Sequence, residues 1–344
     1  MMTAAQRRAA RSRSGIVLVM VLFFVLLLAS AMASFLRRVA VDAGIAMNRD
    51  RAQQAESLAR GGVRLAEAIL LEDLRTKGAQ GGPDSRHDLW ARAGELDLIE
   101  DPDVDLHVRI EDAAARINLN GFLVKGVVDE KGRLFLQQLL TGVVAIMPGR
   151  PEELLYDPIE LSANLADWID SDEVSANGAP EDELYQRSDP PHRPPNRPLL
   201  SVDELRLVDG FDGRLVDALR PFVGVYPLAG GGGINLNTAP EWVLIQLQRG
   251  SEVSGLRVLE EKDVRRIADA REEGMICGGA EPAQGCTSPT ELLEGDALEP
   301  AATERSKVFT VTAVARVFDV ERRIETVLDR TAEGGPRRLS WSVR

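Results

Sequence analysis

The chain of 344 residues is poor in the side chains that carry covalent chemistry, with only three histidines and two cysteines. His87 and His192 stand in loop-like stretches, and His107 falls on the polar side of an alternating one, where it reads as a solvated residue. No G-x-S-x-G or P-loop pattern occurs, so the sequence supplies no nucleophile–base–acid set and an enzyme is not expected. Two cysteines are too few to frame a small disulfide scaffold. Positive charge is also in deficit. The formal net charge is -13, which disfavours generic nucleic-acid binding and is compatible with hard cations.

Long apolar runs are absent with one exception. A basic leader carrying Arg7, Arg8, Arg11 and Arg13 ends at Gly15, and the twenty residues from Ile16 to Phe35 carry no charge. As a helix this run rises about 30 Å, the thickness of a bilayer core. It is too long for the apolar region of a signal peptide, and no clear small-x-small cleavage site closes it. A plain single-span anchor is the other reading that composition leaves open. Arg37, Arg38 and Arg49 follow the run closely, so charge asymmetry orients it only weakly.

Proline is missing until Pro83, and the helical pattern continues beyond the apolar run. Ala52, Ala55, Leu58, Ala59, Val63, Ala66, Ile69 and Leu70 form one apolar stripe, with Arg49, Asp50, Arg51, Glu56, Arg60, Arg64 and Glu67 on the other faces. From Ile16 to Leu74 this predicts a nearly continuous helix of about 88 Å.

Residues 75–103 read as a loop. Val104, Leu106, Val108 and Ile110 then alternate with Asp105, His107, Arg109 and Glu111, the period of a half-buried strand. From Gly121 to about Arg220 the spacing turns helical. Ser201 and Glu204 suggest a capping box opening a helix–turn–helix pair. The tetrapeptide INLN occurs at 117–120 and again at 234–237, a weak internal repeat. In the second copy Asn237 or Thr238 is placed to cap a helix, with Pro240 in its first turn. That copy also resembles the start of a helix-hairpin-helix unit, although the glycine turn of such a unit is not evident in QLQRGSEVSG. Near the carboxyl terminus, KVFTVTAVARVFDVERRIETVLDR holds two alternating runs joined as a hairpin, and the residues after it read as a tail.

The densest chemical signal is acidic. Asp167, Asp170, Asp172, Glu173, Glu181, Asp182 and Glu183 lie within seventeen residues that contain no Lys or Arg. Such crowding is unfavourable unless solvent or a cation offsets it, and calcium takes six to eight oxygen ligands of this kind. Counted from Asp170, Asp172 and Glu181 fall at positions 3 and 12 of an EF-hand, but Val174 and Ser175 stand where that motif needs a ligand and a glycine. A solvated acidic loop is the alternative. Cys277 and Cys286 bracket GGAEPAQG. In an oxidising compartment a disulfide there would close a loop of about ten residues, whereas the spacing does not suit a redox or metal pair.

A basic leader ending in glycine, an uncharged helix start and an amphipathic continuation together resemble the type IV pilin and pseudopilin class. The resemblance implies cleavage by a prepilin peptidase after Gly15, making Ile16 the mature amino terminus. Most members of that class carry glutamate at the fifth mature position, where this chain has Met20. The absence is typical of the K family of minor pseudopilins in type II secretion systems. DWIDSDEVSANGAPEDELY, NRPLLSVDELRLVDGF and INLNTAPEWVL resemble, in order, the central motifs of that family.

That family implies an α+β, pilin-like fold with a large inserted all-α domain of two SAM-like or helix-hairpin-helix-like units. The divisions then run 1–15 leader, 16–37 transmembrane part, 38–120 amphipathic helix and first strand, 121–232 and 233–300 inserted units, 301–332 closing strands and 333–344 tail. It implies calcium on Asp170, Asp172, Glu181 and Asp182. Also implied are a single-pass inner-membrane anchor, a periplasmic domain, and partners among other minor pseudopilins in a tip complex and the major pseudopilin, with no nucleic acid. The resulting expectation is a non-catalytic subunit that caps or initiates a periplasmic pseudopilus for protein export. A membrane-tethered DNA-binding protein of a competence apparatus is the alternative.

Overall fold

Helix α1 spans Ala4–Thr76, about 110 Å at the standard rise. In this computed structural model the described residues are all except 1–3, 78–81, 97, 150–155, 173–174, 176–184, 188–189, 230–232, 252–254, 279–284 and 333–334, with side chains described from residue 16 onward. Every side chain from Ile16 to Asp50 is exposed. Burial begins where the apolar stripe meets a sheet: Ala55, Ala59, Val63, Ala66 and Leu70 are completely covered. One helix thus has an apolar half with no protein around it and an amphipathic half that forms part of a core.

The sheet is four-stranded and antiparallel, with β1 (Val104–Asp112), β2 (Val308–Val317), β3 (Val320–Asp329) and β4 (Arg337–Val343) in spatial order. β1 and β2 are neighbours in space, from Val104↔Val317 to Asp112↔Phe309, although nearly 200 residues separate them in the chain. The small residues of α1 let the two layers meet. A Cβ on Gly62 would lie 2.9 Å from Val108 Cγ2 and 3.2 Å from Ala313 Cβ. The β2–β3 hairpin turns on Phe318, at φ 56°. The Arg51 guanidinium lies over its ring at 4.4 Å and pairs with Asp319 at 2.8 Å, fastening the hairpin tip to the rod.

The residues expected to form a tail instead form β4, paired antiparallel to β3 from Ile324↔Val343 to Asp329↔Arg337. Its signal in the sequence is weak because a bulge next to Val327/Leu328 breaks the two-residue period. Arg338 pairs with Glu67 of α1 at 2.8 Å and covers the Trp341 ring at 4.9 Å, so the strand is held to the rod as well as to the sheet.

Between β1 and β2 lies the insertion. Helices α2 (Glu130–Ile146) and α3 (Pro158–Ile169) start at Asp129 and Asp157, whose carboxylates accept the Gly132 and Ile159 amides. A single apolar core runs from Ile117 to Leu298. The insertion is not all-α. QRGS at 248–251 pairs with both GLRV at 255–258 and ALE at 297–299 in a three-stranded sheet. The reason is local. Gly250 passes so close to the Gly255 carbonyl that a Cβ would stand 2.0 Å from that oxygen, and Gly255 takes φ 68°, both consistent with a hairpin and not a helix.

The two INLN copies are structurally equivalent. Ile117–Asn118 and Ile234–Asn235 are short strands, each paired in parallel with a later strand, Val223–Gly224 and Ala302–Thr303. Asn118 and Asn235 each accept the amide two residues on, at 3.1 Å. Asn120 then grips the backbone of Leu199, accepting its N–H at 2.8 Å and donating to its carbonyl at 2.9 Å. Asn237 does the same to Ile276, at 2.8 Å in both directions. Asn237 is therefore a clamp and not a helix cap. Thr238 does not cap either, because its hydroxyl donates to Asp112 at 2.6 Å, and the helix Glu241–Leu244 starts at Pro240 with no side-chain cap. Ser201 and Glu204 form a looser arrangement than the expected box. Ser201 accepts from Asp203 and Glu204 accepts from the Leu200 amide, opening a 3₁₀ turn at Val202–Leu207.

Candidate functional site

The acidic loop begins where α3 ends. Asp170 closes the helix, its amide still donating to Ala166 at 3.0 Å. Two neighbouring segments hold Ser171 and Asp172 in place. Strands Leu123–Val124 and Val127–Val128 form a hairpin whose turn, Lys125–Gly126, has φ 54° and 90°, the pattern of a type I′ turn. The Gly126 carbonyl accepts the Ser171 amide at 2.8 Å. A Cβ on Gly126 would stand 2.8 Å from Ser171 Oγ, so glycine serves both turn and contact. From the other side Asn196, itself at φ 45°, donates its amide to the Asp172 carbonyl. The hairpin is readable in LVKGVV, yet it falls in a stretch where helical spacing was expected. Asn196 carries no such signal, since it lies 24 residues from its partner.

Trp168, near the end of α3, is the centre of an aromatic cluster. Trp168 meets Tyr185 at 5.2 Å and His192 at 5.9 Å between ring centroids, and its Nε1–H points to Glu204 at 3.4 Å. His192, placed by sequence in a loop, therefore has a packing role.

Asp170 is only 8% exposed, and its Oδ1 has no hydrogen-bond partner among the described residues. Burial pushes its carboxyl up to about 6, helped by the charges of Asp172 and Asp167 and opposed by a bond from the Asp172 amide. A buried carboxylate with an unused oxygen and two like-charged neighbours is unfavourable alone and is relieved by a hard cation. On that criterion Asp170 fits a hard cation, and Asp172 is an exposed carboxylate beside it. Glu181 and Asp182, the other two expected ligands, lie outside the described residues, as do Glu173 and Glu183.

A second carboxylate group was not anticipated. Asp73, Asp84 and Asp88 have oxygens within 4.8 Å of one another. Lys77 Nζ sits among them at 3.1, 2.8 and 2.7 Å, and Arg330 closes on Asp73 and Asp84 at 2.8 and 2.5 Å. The place a cation would take is filled by an ammonium, so this is a structural ion-pair hub. Elsewhere Cys277 and Cys286 are joined by a disulfide. Gly15 lies within α1, and Ile16 and Met20 are exposed on its apolar half.

A long amino-terminal helix laid on an antiparallel sheet, interrupted by a large insertion, defines a pilin-like subunit with, among the described residues, one apolar helix long enough to anchor it in a membrane. Comparison with known proteins narrows the class. Residues 115–228 match the family model described as "Type II secretion system (T2SS), protein K". Type II secretion system protein K of Pseudomonas aeruginosa is 34% identical over 246 residues, 68% of either chain. The Klebsiella pneumoniae protein of the same name is 31% identical over 214 residues, 61% of either chain. A chain in the crystal structure of the GspK–GspI–GspJ complex from the enterotoxigenic Escherichia coli type 2 secretion system has the same fold, with TM-score 0.62 and 18% identity over 87% of this chain and 99% of that one. The chain belongs to the type II secretion system protein K family, and it is a minor pseudopilin of such a system. The DNA-binding alternative finds no support in these matches.

Proposed function

We propose that this subunit caps and initiates the periplasmic pseudopilus, as a structural and non-catalytic part of the export machine. The observation that carries the reading is the bare apolar half of α1. Its uncharged side chains from Ile16 to Phe35 are all exposed, so their partners are lipid and neighbouring helices. Met20 adds direction. In the pilin class a glutamate at this position neutralises the amino terminus of the subunit already assembled above, and a subunit with nothing above it would hold only an unpaired carboxylate in the membrane. The insertion between β1 and β2 also gives the subunit a bulk that suits an end better than a shaft.

On this reading a prepilin peptidase cuts between Gly15 and Ile16, α1 anchors the chain in the inner membrane and the remainder faces the periplasm. Other minor pseudopilins form the tip complex with it, a reading supported by the GspK–GspI–GspJ assembly of the structural relative. The major pseudopilin lies below. Calcium is held by Asp170 and Asp172 with Glu181 and Asp182, where it neutralises the crowded carboxylates. Amino-terminal sequencing of the membrane-extracted protein tests the assignment. A mature chain starting at Ile16 and co-purifying with two smaller pseudopilins is the expected result, and a chain retaining the leader would overturn it.

A further inference from the structure

A cleft of about 630 Å³ opens where β1 meets the second INLN unit, and none of the acidic-loop residues line it. Arg86, Arg109, Arg116 and Arg271 do, together with Trp90 and Trp242. In a chain of net charge -13 this is an unusual concentration of guanidinium. We propose that the cleft is a docking site for an acidic peptide segment of a partner protein, read through the exposed guanidinium of Arg86, with the buried charge of Arg271 behind it, and the exposed face of Trp242.

The charges at the centre are short of a partner. Arg271 is 5% exposed, and its Nε has no hydrogen-bond partner among the described residues. Its Nη1 donates to the Ala239 carbonyl at 2.6 Å, and Arg86 Nη2 donates to the same carbonyl at 3.0 Å. Longer bonds run from Arg271 Nη1 to the Leu236 carbonyl at 3.4 Å and from Arg86 Nη2 to the Thr238 carbonyl at 3.5 Å, so the two cations are held by neutral backbone oxygens. Burial, and then the charge of Arg86, hold the Arg271 pKa below the ordinary value, so the pair is electrostatically unfavourable as it stands.

The carboxylates nearby do not resolve this. Glu111 is engaged by Arg109 at 3.1 Å and by Arg116 at 3.7 Å. Glu241 reaches Arg271 only at 3.7 Å and is 65% exposed, a solvent-screened contact. Asp112 is buried at the edge of the cleft, but the Ala114 amide, Asn235 and Thr238 occupy its oxygens, and burial pushes its carboxyl up. An incoming carboxylate can bind the exposed Arg86 guanidinium in two-pronged fashion, which no group among the described residues does.

Trp242 argues for a peptide and against a small anion. It is 56% exposed at the rim, and covering an indole of that size needs side chains flanking the carboxylate. The cleft is built from the folded part of this chain alone, whatever place the chain takes in a pseudopilus.

The test uses the full chain in detergent micelles and a fluorescein-labelled peptide, Asp-Glu-Phe-Glu-Asp, with Asn-Gln-Phe-Gln-Asn as its neutral counterpart. Anisotropy should show saturable binding of the acidic peptide at about 100 µM or tighter, and no comparable binding of the neutral one. Arg86→Ala and Trp242→Ala, both at exposed positions, should each weaken binding by about fivefold or more. Raising salt from about 50 to 300 mM should weaken it further, a readout that stands even if a variant melts early. Equal binding of the two peptides, or unchanged affinity in both variants, overturns the proposal. So does glutarate displacing the label as well as unlabelled peptide at equal concentration, which would mark a pocket for small dicarboxylates.

Discussion

Asp170 sets the chemistry of the acidic loop because it alone among the loop's described carboxylates is buried with an unpartnered oxygen. Its folded pKa, pushed up to about 6, lies above the ordinary 3.8. The folded state then holds a proton that the unfolded state has lost, so this group favours folding at pH below about 4 and loses that contribution as pH rises through 6. Calcium inverts the trend, since only the ionised group can bind it. Thermal melts in chelator should therefore show the protein less stable at pH 7 than at pH 5 as far as this group decides, and added calcium should raise the melting temperature more at pH 7 than at pH 5. Asp170→Asn should abolish that calcium response while raising stability in chelator. A calcium response independent of both pH and Asp170 would remove the site. The duplicated asparagines make a second prediction at this scale. Asn120→Ala strips partners from the Leu199 amide and from the Leu199 and Val225 carbonyls, and Asn237→Ala strips both backbone partners from Ile276. With each orphaned group costing about 1–3 kcal/mol, denaturant titration should find each variant destabilised by about 2–4 kcal/mol. The repeat itself was legible because INLN is literally duplicated. What the asparagines hold was not, because the gripped residues lie 79 and 39 positions away.

Among the elements, α1 was the most legible, since a 3.6-residue stripe sustained over many turns has few other readings. β1 and the β2–β3 hairpin were legible from alternation. β4 was not: a bulge interrupts its period, and Trp341 and Val343 are only partly covered, so little in RRLSWSV separates a strand from a tail. The small three-stranded sheet of the insertion was hidden for a related reason, being three or four residues per strand and dependent on Gly250 and Gly255. Packing between α1 and the sheet gives a prediction with opposite signs at adjacent positions. Nothing lies within 4 Å of a Cβ at Gly61, whereas one at Gly62 meets Val108, Leu106 and Ala313 at 2.9, 3.1 and 3.2 Å. Gly61→Ala should stabilise by about 0.5–1 kcal/mol through helix propensity, while Gly62→Val should destabilise by about 1–3 kcal/mol by forcing the layers apart. Chemical denaturation of the pair measures both, and equal effects would mean that helix and sheet do not meet this closely at Gly62.

At the scale of the whole molecule, rod, sheet and insertion are tied at one buried place. Lys77 at the end of α1 pairs with Asp73, Asp84 and Asp88, and Arg330 just after β3 pairs with Asp73 and Asp84. Asp84 then reaches the insertion and its exit: its carboxylate accepts the Ser306 amide at 2.7 Å, and its carbonyl accepts Asn235 of the second INLN at 3.1 Å. Burial opposes the Lys77 charge, but the hydrogen bonds it donates to Asp84 and Asp88 outweigh it and raise its pKa above 10.5. Lys77 accordingly stabilises the fold throughout neutral pH, and its contribution fades only as strongly alkaline pH carries it through that raised value. Removing one partner of a buried charge network leaves the others uncompensated and costs about 3–5 kcal/mol. Lys77→Met should therefore destabilise the chain by that order and loosen the rod from the insertion, seen as faster proteolysis after Arg75 with α1 still helical by circular dichroism. Lys77→Ala adds a sharper reading. It frees space among three carboxylates within 4.8 Å, so millimolar calcium should restore much of the lost melting temperature in Lys77→Ala and much less in Lys77→Met, whose side chain still fills the place. Equal recovery in the two variants would mean that the ammonium is not what holds these carboxylates together.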